Sequence, residues 1–182
     1  MSFLQTVLKN KKNKQLNLGR PHNPVCKNTY KYFIIIPSYA EHNYIKDTLQ
    51  SISMQETKLL SESLVVIVIN NAVGDTSIIK KNNHDTYHNI INENYPFEFI
   101  VVDCYSREHA LDYHLAGVGM ARKIGMDFAL DYAKKNSLLC SIDADTIISK
   151  NYLTTIVSEY KDKFFSSAVV NFKHQNNNNS SI

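Results

Sequence analysis

Residues 33–41 read FIIIPSYAE, an apolar run that ends in proline and a polar loop. Such runs favour β-strands, because branched and aromatic side chains suit the half-buried, pleated surface of a sheet. The same composition recurs along the chain and predicts five strands, at residues 32–37, 64–69, 97–102, 138–142 and 165–172. The first, second and fourth runs are apolar throughout rather than alternating, as expected in a parallel sheet with helices on both faces.

Helical patterns lie between these runs. Ile45, Leu49 and Ile52 recur at helical spacing, and residues 121–133 and 153–160 carry similar apolar stripes. Residues 76–95 are also assigned to a helix, although five asparagines there oppose helix propensity. Strands that alternate with helices predict an α/β fold with a mostly parallel sheet, in which ligands bind at the carboxyl ends of the strands.

Composition divides the 182 residues into three parts. Residues 1–30 form a basic leader, residues 31–174 a single globular domain, and residues 175–182 a tail of asparagine and serine. We expect a solvated leader and no nucleic-acid partner, with peripheral contact at the inner face of a membrane as the alternative for the leader. No apolar run approaches the roughly 20 residues that a membrane-spanning helix needs, so a cytoplasmic protein is expected.

Two aspartates follow the fourth apolar run directly. Asp143 and Asp145 are separated only by Ala144, and on an extended chain their side chains would leave the same face. Carboxylates held a few ångströms apart repel one another unless a cation neutralises them, and Mg²⁺ or Mn²⁺ prefers such oxygen ligands. The pair therefore predicts a divalent-metal site, with helix capping by Asp145 as the alternative.

A glycine-containing segment opens the longest predicted helix. Gly117 and Gly119 allow close backbone approach, and the amide groups at a helix start favour an anion. Arg122 adds a planar cation suited to a diphosphate. The segment is not a dinucleotide-binding fingerprint, because Arg122 stands at the third glycine position and no strand directly precedes it. A flexible helix entry with one surface arginine is the alternative.

Four segments, in this order, resemble the N-terminal, nucleotide-sugar-binding half of family-2 glycosyltransferases with the GT-A fold, a Rossmann-like α/β fold. They are FIIIPSYAEHNYIKDTLQSI (33–52), VVIVINNAVGD (65–75), GVGMARKIGMDFAL (117–130) and LLCSIDADTIISKNYL (138–153). The resemblance covers about residues 30–174 and implies transfer of a sugar, with inversion, from a UDP- or GDP-sugar to a hydroxyl group of an unidentified saccharide or lipid-linked acceptor. It also implies Mn²⁺ or Mg²⁺, which would offset the charge on the departing nucleoside diphosphate.

The resemblance assigns a donor site to residues that follow successive strands. The implied donor-binding residues are Pro37, Tyr39, Glu41, Asn70, Asp75, Gly119, Arg122 and Asp143, and the implied metal ligands are Asp145 and Asp143. In the family, the loop after the first strand lies against the base and ribose, and the residue at the position of Asn70 contacts the base. The arginine lies near the base and phosphates. The second aspartate ligates the metal, and the first faces the ribose or the donor sugar.

Two departures from the family's pattern matter. Asn70 stands where the family often has aspartate, so the base contact carries no charge and a preference for uridine does not follow. After Asp145 the only carboxylates are Glu159 and Asp162, on the polar side of a predicted helix, so the catalytic base of inverting members is missing. We therefore expect a truncated glycosyltransferase that contains the donor site, lacks most of the acceptor site and transfers sugar poorly.

Two other classes are compatible with the fold. A sugar nucleotidyltransferase is disfavoured, because residues 37–41 lack the glycine-rich loop with Arg or Lys that it should have after its first strand. A non-catalytic nucleotide-binding or protein-interaction module remains the main alternative. Metal-dependent binding of a nucleotide sugar distinguishes the glycosyltransferase from this module.

Overall fold

The computed structural model describes residues 19–23, 25–163 and 167–170. The strands of this part form one sheet in the order β1-β4-β3-β2-β5. They are β1 (Arg20–Pro21), β2 (Tyr30–Ser38), β3 (Ser63–Asn70), β4 (Glu98–Cys104) and β5 (Ala133–Ser141). Strands β2 to β5 run parallel to their neighbours, whereas β1 pairs antiparallel with β4.

Helices cover both faces of the sheet, as predicted. They are α1 (Ile45–Ser53), α2 (Thr57–Leu60), α3 (Ser77–Asn92), α4 (Val118–Tyr132) and α5 (Tyr152–Lys163). Helices α1, α2, α3 and α5 contribute to the apolar core on one face, and α4 packs on the other face. Four predicted strands and all four predicted helices are confirmed within a few residues of their expected bounds.

The two faces explain why β2 and β3 are apolar throughout. Ile34 and Ile36 point into the core shared with α1, whereas Phe33 and Ile35 point into the core shared with α4. Every residue of β3 is buried. Both faces of these central strands are removed from water, so polar alternation would place unsatisfied groups in the core.

Helix α4 lies very close to the sheet at Gly125. A Cβ atom at this position would lie 2.6 Å from Ile35 Cγ2 and 3.1 Å from Val68 Cγ2. Distances this short exclude any side chain unless the helix moves away, so glycine sets the separation between α4 and the central strands. The position of Arg122, one turn earlier on α4, depends on this packing.

Part of the predicted leader belongs to the sheet, which the sequence did not predict. Gly19 has φ +81°, and a Cβ there would meet Val102 Cγ1 at 2.6 Å and Cys104 Sγ at 2.7 Å. The His22 amide donates to Val101 O at 3.0 Å, which extends the pairing of β1 with β4. Residues 19–23 thus cover the edge of β4, while residues 1–18 and 24 of the predicted leader lie outside the described residues.

The fifth predicted strand, at residues 165–172, is wrong for its described part. Residues 167–170 are exposed and belong to no strand, and the other residues of this run lie outside the described part, as does the tail at 175–182. None of the helices in the described part is both long enough and apolar enough to span a bilayer.

Candidate functional site

The paired aspartates lie in a turn immediately after β5. Ile142 N still donates to Ile35 O at 3.1 Å, and the chain then turns so that Thr146 N donates to Asp143 O at 3.1 Å. Asp143 and Asp145 are exposed, while Ala144 between them is buried. The chain is therefore not extended here, and a turn rather than strand alternation sets the direction of the two carboxylates.

Buried polar side chains of α1 and the turn after it hold this acidic turn and the segment that follows. The Thr48 hydroxyl donates to Ala144 O at 2.7 Å, and Ile148 N donates to the Ser51 hydroxyl at 3.1 Å. The side-chain amide of Gln55 donates to Ser149 O at 2.8 Å. The sequence does not reveal these roles, because Thr48 and Ser51 appear only as polar positions on an amphipathic helix and Gln55 follows it.

The acidic turn also contacts α4. Arg122 donates to Asp143 Oδ1, and both side chains are partly exposed. This arginine was predicted near the phosphates of a nucleotide, and it lies beside the predicted metal-binding turn. Lys123, the next residue, pairs instead with Asp127 on the surface of α4.

Glu41 brings a third carboxylate to the same place. Its pKa is raised, first by burial and then by the negative charges of Asp145 and Asp143. The loop after β2 and the turn after β5 therefore meet at the carboxyl edge of the sheet, where negative charge accumulates. Such a site favours a cation or a hydrogen-bond donor.

The donor set suits a metal only with help from a ligand. Within the described part of the chain, no three His, Cys, Asp or Glu side chains are grouped as they would be around a metal ion. Mg²⁺ commonly takes one or two carboxylates and completes its shell with water and substrate phosphates. The exposed Asp143 and Asp145 fit this kind of coordination, in which a diphosphate would supply the oxygens that the protein does not.

The other predicted residues of the first loop differ in their exposure. Pro37 is a buried residue inside β2, where it is in register with Val68, so the loop begins only after Ser38. Tyr39 is 40% exposed, and its pKa is raised by burial and then by the nearby Asp75 carboxylate. Tyr39 thus presents a ring at the edge of the sheet.

Asn70 ends β3 in a fully buried position. Its side-chain NH₂ group donates to Ser38 O at 3.0 Å, and among the described residues its Oδ1 has no hydrogen-bond partner. Within the same part of the chain, the neighbouring buried Ser38 hydroxyl also has no partner. A buried polar atom without a hydrogen bond destabilises the folded state. Two such atoms at the carboxyl ends of β2 and β3 therefore indicate a place where a ligand could supply hydrogen bonds.

The Asp75 side chain has a local structural role in this loop. Its Oδ2 accepts a hydrogen bond from Ala72 N at 2.8 Å. The residue lies just before Thr76, whose hydroxyl accepts from Ile79 N and caps α3. The carboxylate of Asp75 therefore shapes the loop between β3 and α3 and, through its charge, affects Tyr39.

The start of α4 is open. Gly117 precedes the helix with φ +130°, and no side chain of the described residues caps the first amides of α4. A Cβ at Gly119 would meet no atom within 4 Å outside its own helical neighbourhood. Free amides at the start of a 15-residue helix are the predicted anion-binding feature, and the space beside Gly119 is compatible with it.

A buried acid, Asp103, lies near the end of β4. Asp103 accepts hydrogen bonds from Tyr105 N and Ser106 N, both at 2.9 Å. His22 Nε2 and His109 Nδ1 lie 3.2 and 3.3 Å from its other oxygen. Burial alone would raise the pKa of Asp103, but the hydrogen bonds outweigh it and lower the pKa. The contact could not be predicted, because His22 lies in the sequence segment read as a leader.

A cavity of about 290 Å³ lies far from these carboxylates. Its lining includes Lys31, Lys134, Lys135 and Lys161, around a floor that contains Leu138. It opens near the beginnings of β2 and β5, at the opposite edge of the sheet from the acidic turn. It is therefore not part of the predicted donor site.

The five-stranded, mostly parallel sheet with helices on both faces matches the GT-A fold of glycosyltransferases. One solved structure with this fold is S. aureus TarS 1–349 in complex with UDP-GlcNAc, with a TM-score of 0.52 and 19% sequence identity. The match covers 74% of this chain and 32% of the TarS chain. The resemblance noted in the sequence is confirmed as a likeness of fold.

Other TarS structures are similar at a lower score. TarS 1–349 in complex with UDP has a TM-score of 0.47 at 19% identity and covers 74% of this chain and 33% of that one. A further TarS structure has a TM-score of 0.46 at 19% identity and covers 72% and 20%. No family model and no curated protein matches the chain. The chain spans about a third of the length of TarS 1–349.

Proposed function

We propose that this chain is the donor-binding part of a glycosyltransferase and binds a nucleoside diphosphate sugar together with Mn²⁺ or Mg²⁺. The observation that supports it most is the exposed pair Asp143 and Asp145 in the turn after β5, at the carboxyl edge of the parallel sheet, with Arg122 bonded to Asp143. In a fold of this type, that edge is where ligands bind. The likeness to a TarS structure that contains UDP-GlcNAc is consistent with such a ligand.

The proposed metal ligands are Asp145 and Asp143, with the remaining positions taken by diphosphate oxygens and water. When bound, the metal supplies positive charge that stabilises the departing nucleoside diphosphate. Arg122 adds a second positive charge beside Asp143 and can interact with the phosphates. The open amides at the start of α4 provide a further anion-binding group.

The proposed nucleoside site is formed by Tyr39 and Asn70. The exposed ring of Tyr39 offers a stacking surface. Because the side-chain nitrogen of Asn70 is used by Ser38 O, its free oxygen can only accept a hydrogen bond. Uracil and guanine both carry a ring N–H that could donate to it, which agrees with a UDP- or GDP-sugar. A larger dissociation constant for UDP in Asn70→Ala than in wild type would support this contact.

The acceptor part of the reaction requires groups that these residues do not supply. Glu159 and Asp162, the only carboxylates after Asp145, are exposed on α5. We propose that the acceptor is a saccharide or lipid-linked hydroxyl, that transfer inverts the anomeric centre, and that the 182 residues bind donor without efficient transfer. A cytoplasmic location belongs to the same proposal, with a solvated basic leader, and contact of the leader with the inner face of a membrane is the alternative.

The donor site is tested by thermal unfolding with UDP-GlcNAc, UDP and GDP, each with and without Mn²⁺. A ligand at 100 times its dissociation constant stabilises the folded state by about 2.7 kcal/mol, which raises the melting temperature of a domain of this size by roughly 5–10 °C. We expect this rise only when nucleotide and Mn²⁺ are both present.

Substitutions locate the effect. Asp145→Asn should remove the Mn²⁺-dependent rise, and Asp143→Asn should reduce it. Asp127→Asn is the matched control, because it makes the same change of charge at the surface of α4, where Asp127 pairs with Lys123. If Asp145→Asn and Asp127→Asn respond to UDP and Mn²⁺ like wild type, the donor-site proposal is wrong and the interaction module is favoured.

A further inference from the structure

Asn83 of α3 connects three segments at the carboxyl edge of the sheet. The side chain is fully buried, and its Oδ1 accepts a hydrogen bond from Ala40 N at 2.9 Å. Its Nδ2 donates to Asn70 O at 3.0 Å and to Asn71 Oδ1 at 2.9 Å. One acceptor and two donors are therefore all used, and among side chains of this length only asparagine offers that combination.

The segment that Asn83 holds is conformationally unusual. Ala40 has φ +57°, in the left-handed region that costs a residue with a Cβ roughly 1–2 kcal/mol. Such a conformation persists only when its surroundings fix it. The hydrogen bond from Ala40 N to Asn83 is one fixing contact, and His42 N makes a second one to Asn82 Oδ1 at 3.1 Å. Two adjacent asparagines of α3 therefore hold the loop at residues 39–42.

The two halves of the proposed donor site are thus supported by different helices. α3 holds the loop that carries Tyr39, and through Asn83 it also contacts the end of β3 at Asn70. α1 holds the acidic turn after β5 through Thr48. Glu41 also belongs to the loop that α3 holds, but the proposed metal ligands Asp143 and Asp145 lie in the turn that α1 holds. A change in α3 should therefore act on the nucleoside side more than on the metal side.

We propose that Asn83 is a positioning residue for the nucleoside of the donor, which rests on the proposed function. It fixes the Tyr39 loop and the end of β3 relative to each other before the ligand arrives. A preformed site avoids the entropy of ordering this loop on binding, so its loss appears as weaker affinity. Asn83 itself makes no contact with the ligand in this role.

The test compares two probes on the same folded proteins by isothermal titration calorimetry. UDP with Mn²⁺ reports on the whole site, and pyrophosphate with Mn²⁺ reports on the metal side alone. For Asn83→Ala, the dissociation constant of UDP should rise about tenfold, which is about 1.4 kcal/mol of binding free energy, because the loop must then be ordered when the ligand binds. The dissociation constant of pyrophosphate should change by less than about threefold on the same scale.

Thr86→Ala is the matched control for a merely structural effect. Thr86 is fully buried on the same face of α3, and its hydroxyl donates to Asn82 O within the helix. The Thr86→Ala substitution should lower the melting temperature without changing the ratio between the dissociation constants of UDP and pyrophosphate. Asn83→Asp serves as a second variant if Asn83→Ala does not fold, because it keeps the shape and the acceptor but places an anion against two oxygens. It should weaken UDP binding in the same selective way.

The possible failures can be told apart. If wild type binds neither probe, the proposed function fails and this inference fails with it. If wild type binds UDP and the folded Asn83 variants bind it equally well, or lose UDP and pyrophosphate to the same extent, Asn83 has no positioning role although the donor site stands.

Discussion

Replacing Gly125 by alanine tests how closely α4 packs on the sheet. The new Cβ would lie 2.6 Å from Ile35 Cγ2 and 3.1 Å from Val68 Cγ2, and both neighbours are fully buried in central strands. Carbon atoms in contact normally lie about 3.5–4.0 Å apart, so the closer overlap is about 1 Å. Either the helix or these side chains must shift.

The expected cost combines two opposing effects. Overpacking a core costs typically 1–3 kcal/mol, while alanine in place of glycine inside a helix gains about 1 kcal/mol. We therefore expect Gly125→Ala to lower the free energy of unfolding by up to about 2 kcal/mol, or the melting temperature by up to roughly 8 °C.

The matched control is Gly119→Ala on the same helix. A Cβ at Gly119 meets nothing within 4 Å, so only the helix preference of alanine remains. Its melting temperature should be unchanged or higher by up to about 4 °C, because the gain is about 1 kcal/mol at most. Both variants are measured by circular dichroism during thermal unfolding and by urea titration. A Gly125→Ala protein as stable as Gly119→Ala would refute the close packing of α4.

Three further predictions concern the site and its surroundings. Because the pKa of Asp103 is lowered in the folded protein, the ionised carboxylate stabilises the fold fully above the ordinary carboxyl pKa near 4, and this stabilisation is lost as the pH falls through the lower folded-state pKa. The free energy of unfolding of Asp103→Asn should therefore be about 1–3 kcal/mol below that of wild type at pH 5. In urea titrations this difference should become smaller as the pH is lowered to about 2. A difference that stays constant over this range would contradict this account. Thr48→Val removes the hydrogen bond to Ala144 O and should lower the free energy of unfolding by about 1–2 kcal/mol. It should also weaken the binding of pyrophosphate with Mn²⁺ in calorimetry. Unchanged binding would show that α1 does not hold the acidic turn in its metal-binding position. Lys123→Ala breaks only an exposed pair with Asp127 and should change the free energy of unfolding by less than about 0.5 kcal/mol, and a larger loss would mean that Lys123 does more than the structure indicates.

The sequence predicted the central sheet well because its signal is local. The runs that form β2 and β3 are apolar throughout, so they require a layer of helices on each face of the sheet. The apolar residues that begin at Ile45 and those within residues 121–133 recur at helical spacing. Pattern alone failed for residues 20–21, since a two-residue strand has no periodicity. Its pairing with β4 depends on contacts with residues more than 80 positions later in the chain.

The site was predicted as a set of residues but not as a set of contacts. Asp143 and Asp145 follow β5 as expected, yet a turn rather than an extended chain directs them. The asparagines of α3, read as unfavourable for a helix, include Asn83, whose amide holds the Tyr39 loop. Such roles depend on partners that are distant in sequence, so they cannot be predicted from the spacing of residues along the chain.

The central claim is that Asp145 and a nucleoside diphosphate share one metal ion. It is tested most directly by titrating Mn²⁺ into the protein with and without saturating UDP and measuring free Mn²⁺ by electron paramagnetic resonance. Because coupling between two ligands is reciprocal, UDP should tighten Mn²⁺ binding by the same factor by which Mn²⁺ tightens UDP binding, and Asp145→Asn should abolish that factor. Equal Mn²⁺ affinity with and without UDP in the wild-type protein would contradict the claim.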